Sequence, residues 1–203
     1  MNANQSKSNF FNEEQSLQVI REMIQVSHRK LKNDSILFIL WGWIMFVSYI
    51  VNYLESKMIS TFQLQKILNF SGITLVLFGL AYTLYYLMKQ RKRVQTYIGI
   101  SLRYVWISLI VCLMLVNLIQ FNIMHQINFE LQHPIFMVLI AFAIVVTGGI
   151  IRYRLIIAGG IVFGFMALIS SWLPLQDQLL VEAIAWAIAF IIPGHILFSK
   201  RKS

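Results

Sequence analysis

Three ionisable side chains fall inside long apolar runs of this chain: Arg103, Glu182 and His195. A charge in a lipid core is costly, so each is a candidate for chemistry. Glu182 lies about one turn into the last apolar run. There it either meets the headgroups, or points into a helix bundle, protonated or paired, as a proton or cation site. Arg103 lies a turn or so inside its run. Its long side chain either reaches back to the interface or meets a ligand or a lipid phosphate. His195 follows Pro193-Gly194 near the end of its run and reads as an interface histidine. Asn52 and Asn117 place amides near the helix ends on the Glu182 side. Glu182, Arg103, Asn52 and Asn117 are therefore the ligand or transport candidates.

Their spacing limits what they can do. Glu182 and His195 are thirteen residues apart, roughly 20 Å along a helix, so they cannot share a substrate. Arg103 belongs to the half of the chain's span opposite Glu182. No second carboxylate sits within an apolar run. No His-Glu-x-x-His, no Gly-x-Ser-x-Gly and no phosphate-cradling glycine loop occurs. His125 and His133, with Glu130 between them, fall short of the ligands a metal needs. Cys112 is the single cysteine, which rules out an internal disulfide. No catalytic residue, metal site or cofactor is expected, and the chain reads as a non-enzyme.

The elements that position these residues follow from composition. Of 203 residues, 58% are hydrophobic and 12% charged, against about 25% charged in soluble domains. Six apolar spans fit helices crossing a bilayer: Ser35–Leu54, Ile67–Met88, Tyr97–Gln120, Pro134–Ile151, Leu155–Trp172 and Leu179–Phe198. They are apolar nearly all round, which only lipid accounts for. Of 17 Lys and Arg, all but Lys57, Lys66 and Arg103 fall in the N-terminal segment, the second and fourth loops and the C-terminus. That alternation predicts both termini in the cytoplasm. It also accounts for most of the +9 net charge without a nucleic-acid partner. The longest outer loop, Phe121–His133, is rich in Asn and Gln and has room for a short interfacial helix. The chain divides into a polar, disordered stretch at 1–11, an amphipathic cytosolic or interfacial helix at 12–33, and a transmembrane domain at 34–203. In the second part Asn12 and Gln15 make a capping box. Leu17, Ile20, Ile24 and Leu31 then form one apolar stripe. The expected fold is all-α: a polytopic bundle of six transmembrane helices with an N-terminal amphipathic helix.

The spans carry packing signals. Gly160, Gly164, Ala167 and Ser171 put small residues on one face of span 5, and Gly72, Gly79 and Thr83 do so on span 2. Such faces let helices approach closely in lipid, within one chain or in a homo-oligomer. Pro193 withdraws a hydrogen bond from the Ala189 carbonyl, and with Gly194 beside it is read as a device that ends span 6. Span 1 contains Trp41-Gly42-Trp43. Adjacent helical residues point about 100° apart, so one ring is expected to pack in the bundle and the other to meet lipid or a partner.

The order of these features resembles a family of small six-span membrane proteins of Bacteroidetes-type bacteria. The resemblance rests on Glu14-Gln15-Ser16-Leu17 with Ile20 and Met23-Ile24, on Leu40-Trp41-Gly42-Trp43, and on Thr147-Gly148 before the basic turn. Ile156-Ile157-Ala158-Gly159-Gly160 and Ile192-Pro193-Gly194-His195 complete it. It implies a six-span fold in the bacterial inner membrane and no established activity, and draws attention to Trp41, Trp43, Gly148, Gly160 and Pro193. The functional expectation is a non-enzymatic membrane module, a sensor, regulator or assembly partner, with residues 12–33 facing a cytosolic protein. The alternative is a small oligomeric transporter or channel for an ion or amphiphile.

Overall fold

The computed structural model describes Gln18 and residues 36–57, 62–90 and 97–202, without the side chains of 62–73 and of a few residues at helix ends. Apart from Gln18, the helix expected at 12–33, the stretch before it and the side-chain setting of Gly72 lie outside the described residues. Regular structure among the described residues is all helical. The order is α1 (Ile36–Lys57), α2 (Phe62–Gln90), α3 (Tyr97–Met124), α4 (Phe129–Ile151), α5 (Arg154–Ser170) and α6 (Leu175–Trp186). A π-helical turn (Ala187–Ile191) and α7 (Ile192–Lys202) continue α6. Four helices are long and apolar enough to cross a membrane: α1, α3, α4 and the continuous stretch Leu175–Ser199. The protein is a multi-helix membrane protein. The 17 residues of α5 extend about 25 Å, a little short of a hydrocarbon core of about 30 Å.

Helix extends further than expected around the third and fourth spans. Phe121–His133 is mostly not a loop. Asn128 caps α4, its side chain accepting the Leu131 N–H at 3.2 Å, and His125 takes a left-handed conformation, φ 55°, that lets the chain turn. Glu130, Gln132 and His133 consequently stand on the first turns of α4. Pro134 is thus inside a helix, where it leaves the Glu130 carbonyl without its usual donor. At the other end of α4, Arg152 closes the helix in the left-handed conformation, φ 57°, its N–H reaching the Gly148 and Gly149 carbonyls.

Neighbouring helices run antiparallel. A side chain at Gly148 would press on Ile157, and one at Gly160 on Val145 and the Ala141 carbonyl, so α4 and α5 touch backbone to backbone. Between α1 and the last helix the glycines are reciprocal. Gly42 lies against Phe190 and Ile191, and Gly194 against Ile39. The two sequence motifs that contain them form opposite sides of one seam. Pro193 does not end the helix. The π-helical turn absorbs the missing bond, the Ile192 N–H reaching the Ala187 carbonyl, and α7 runs on to Lys202. A single turn of this kind is the usual form that π-helix takes within α-helices.

At the centre, rings from four helices meet. Phe190 stacks on Trp186 at 4.5 Å between centroids and also meets Phe38 at 5.6 Å and Trp106 at 6.4 Å. Phe163 of α5 packs edge-on against Trp186 at 5.5 Å. Charge separates about this layer. The carboxylates with described side chains, Glu55, Glu130, Asp177 and Glu182, all lie towards one end of the bundle, the acidic end, together with Lys57. The described cations Lys89, Arg103, Arg152 and Arg154 lie towards the other, the basic end.

The two glycines of Gly160-x-x-x-Gly164 differ in their surroundings. A methyl group at Gly160 would sit 2.9 Å from the Val145 backbone nitrogen, whereas at Gly164 it would meet Ala141 at an ordinary 3.6 Å. Gly160→Ala should therefore cost about 1–3 kcal/mol through overpacking. Gly164→Ala, and Gly149→Ala with nothing within 4 Å, should shift stability by no more than about 1 kcal/mol, towards the folded state. Reversible unfolding in detergent measures all three.

A buried polar cluster as the candidate functional site

Glu182 faces inward. Its side chain is 1% exposed, and its Oε2 lies 2.7 Å from His133 Nδ1. The sequence leaves both orientations of Glu182 open, and the structure takes the one inside the bundle. Helix α6 presents Gln178, Glu182, Ala185 and Trp186 as a buried face that Ala189 of the π-helical turn continues, and Glu182 belongs to it by its spacing of four from Gln178. His133 reaches it from the second turn of α4, and its own side chain is 20% exposed. Tyr49 of α1 completes the group. Its ring lies edge-on to the His133 ring at 6.1 Å, and its hydroxyl is close enough to feel the charge of the Glu182 carboxylate. Three helices distant in sequence thus converge on one carboxylate. A proton on either partner of the Glu182–His133 contact leaves the pair neutral overall, the form a low-dielectric interior tolerates.

Further polar contacts surround it. Gln178, 2% exposed, donates to the Glu130 carbonyl at 3.0 Å and to the Leu173 carbonyl at 2.9 Å. The first of these is the carbonyl that Pro134 frees. Gln132 donates to Asn117 Oδ1 at 2.6 Å, and Asn117 donates to the Leu113 carbonyl. Lys57 and Asp177 form an exposed ion pair at 2.9 Å between the ends of α1 and α6. Gln120, the Gln178 Oε1 and the Ser170 hydroxyl are buried without a partner among the described residues. Each such group costs about 1–3 kcal/mol, so this end of the bundle is more polar than stability alone favours.

The other candidates lie elsewhere. Asn117 joins the cluster's edge through Gln132, and Asn52 is half-buried one turn beyond Tyr49 on α1. Arg103 is half-buried at the basic end, far from Glu182. Trp41 donates its indole N–H to Thr83 Oγ1 at 3.0 Å, and Thr83 in turn donates to the Gly79 carbonyl. Trp43, 46% exposed, points towards His195 Nε2 at 3.4 Å. The tryptophan pair therefore straddles α1, one ring on α2 and the other on α7, with Gly42 between them on the π-helical turn. Gly79 abuts the flexible tip of Ile44.

Tyr49 and Gln178 were not among the residues singled out by sequence, and His133 entered only as a metal ligand that was set aside. The signal was their level. Each lies within a few residues of the helix end that also carries Glu182. Placing the expected loop boundary after His133 hid the most important of them.

The class these features define is a multi-helix membrane protein with a carboxylate–imidazole–phenol cluster buried towards one end. Among the described residues no group of three or more His, Cys, Asp or Glu side chains is placed to hold a metal ion. The chain matches no protein-family model, no curated protein and no solved structure.

If the Glu182–His133 contact joins α6 to α4, the two residues are coupled. Glu182→Ala and His133→Ala should each destabilise, and the double mutant should fall short of their sum by about 0.5–3 kcal/mol. Additive effects in reversible unfolding would show that the contact contributes nothing of its own. Gln178→Leu should cost about 1–3 kcal/mol by stranding two carbonyls.

Proposed function

We propose that the chain is a non-enzymatic membrane module, a sensor or regulator, whose responsive element is the Tyr49–Glu182–His133 cluster. The observation that carries this reading is the burial of Glu182 against a partly exposed His133. The imidazole is partly exposed at the acidic end, while the carboxylate it meets is buried between α4 and α6 with Tyr49 of α1 beside it. A change in what occupies or contacts His133 therefore alters the contact that joins α4 to α6.

The wider setting of the proposal is a six-span arrangement in the bacterial cytoplasmic membrane. The basic end and both termini face the cytoplasm, as the positive-inside bias favours, and the acidic end faces outward. Residues 12–33 are the proposed contact with a cytosolic partner. Membership of the six-span Bacteroidetes-type family is part of this proposal, resting on scattered motifs, two of which face each other across the Gly42–Gly194 seam.

A transporter or channel is the competing reading, and the inward Glu182 with the π-helical turn below it is the observation in its favour. Against it stands the aromatic layer of Phe38, Trp106, Phe163, Trp186 and Phe190, which fills the bundle centre between the cluster and the basic end. Conduction requires those rings to part.

Proteoliposomes separate the two readings. As a module, the reconstituted chain should pass protons, monovalent cations and amphiphiles no faster than protein-free vesicles. A flux that Glu182→Gln abolishes would replace the module with a transporter. In cells, deleting residues 1–33 should leave membrane insertion intact while removing crosslinked cytosolic partners. An unchanged partner set would remove that helix from the proposal.

A further inference from the structure

Arg103 has a setting that topology alone does not explain. It lies inside α3 rather than in a loop, and it is half-buried. Counting along α3, its face continues through Ile107, Ile110, Met114 and Leu118, all more than half exposed. These positions follow at steps of three and four, so they form one stripe with Arg103 at its head. The core-facing residues of α3 are others, among them Leu102, Trp106 and Leu109. Arg103 thus stands at the top of a lipid-facing stripe, not in the bundle.

Two more guanidinium groups are close in level. Because Gln132 meets Asn117 and antiparallel helices rise equally, Arg103 is level with the last turns of α4. Arg152 follows those turns and Arg154 opens α5, both exposed. Among the described residues none of the three has an acidic partner, and no carboxylate lies at this end. The contrast is with Lys57 at the acidic end, which is paired with Asp177.

The geometry points to a binding site for an anionic glycerophospholipid. Its phosphate is held by Arg103 with Arg152 and Arg154, and an acyl chain lies along Ile107, Ile110, Met114 and Leu118. Guanidinium is the side chain best matched to phosphate oxygens, since its N–H groups donate in pairs. Basic groups at helix ends beside lipid-facing surface are the usual setting for anionic headgroups. The half-buried guanidinium lacks a protein counter-ion among the described residues, and the face it heads is apolar, so the anion that fits carries its own hydrocarbon. This site is separate from the acidic-end cluster and stands whatever that cluster does.

The test uses the full chain, reconstituted in phosphatidylcholine vesicles containing a minor share of phosphatidylglycerol. The protein is re-extracted in mild detergent and its retained lipid counted by native mass spectrometry. The wild type should retain phosphatidylglycerol in preference to phosphatidylcholine. Arg103→Gln should lower that retention about fivefold, and the Arg152→Gln/Arg154→Gln double variant at least as much. Lys57→Gln, at the opposite end, should leave it unchanged. Circular dichroism checks that helix content is preserved, and the double variant on the exposed turn keeps the test open should Arg103→Gln not fold. Equal retention of the two lipids by the wild type would overturn the site. So would undiminished retention in the folded arginine variants. Loss of phosphatidylglycerol to millimolar inorganic phosphate would assign the arginines to a free anion and overturn the lipid.

Discussion

A carboxylate carried into a helix bundle must find its partner there, and Glu182 finds His133 at 2.7 Å. Apolar side chains gain little by leaving lipid for another helix, so association in a membrane depends on close packing and on polar contacts. The acidic end shows how this works. Pro134 takes a donor away from the Glu130 carbonyl, and Gln178 of α6 supplies one. One turn further along α6, Glu182 meets His133 and Tyr49. Helix α6 is thereby fastened to α4 at two consecutive turns, and Lys57 fastens it to α1 at Asp177. Remove the carboxylate, and α4 and α6 lose one of the contacts that set their level and rotation.

Below this level the packing changes character. Aromatic rings fill the centre, and glycines set the distance between backbones. Gly42, Gly160 and Gly194 each lie where a methyl group would strike a neighbouring backbone or a buried side chain. The protein thus has a polar, costly end, a dense apolar middle and a cationic end. Most of the buried polar groups without partners among the described residues lie at the first, though Thr147 and Trp186 lie outside it, and the described cations without an acid beside them lie at the last.

Much of this was legible in the sequence, and the reasons for the remainder are specific. The apolar runs, their all-helical character and the division of charge between two ends follow from hydropathy and charge pattern. The close contact at Gly160 follows from the spacing of small residues. The site did not follow so readily. Residues Glu130–His133 look like loop because they are polar and precede a proline, yet Asn128 starts the helix earlier and carries them into it. The Glu182–His133 pairing joins residues 49 positions apart, and helical periodicity says nothing about contacts between helices. The motifs Trp41-Gly42-Trp43 and Pro193-Gly194-His195 were each conspicuous. That they are two sides of one seam required knowledge of which helices are neighbours.

The π-helical turn at Ala187–Ile191 has a consequence for how the last helix meets its surroundings. One extra residue per turn rotates everything after it by about 100° relative to an uninterrupted α-helix. The face of α6 that carries Gln178, Glu182 and Trp186 is therefore not continued by the residues that share its heptad phase in α7. The slip in phase brings Gly194 round to Ile39 and His195 round to Trp43. Two half-helices with separate azimuths occupy one membrane crossing, each matched to a different stretch of α1. A single-residue change in length within this turn would re-address every side chain beyond it, while leaving the polar cluster above it untouched.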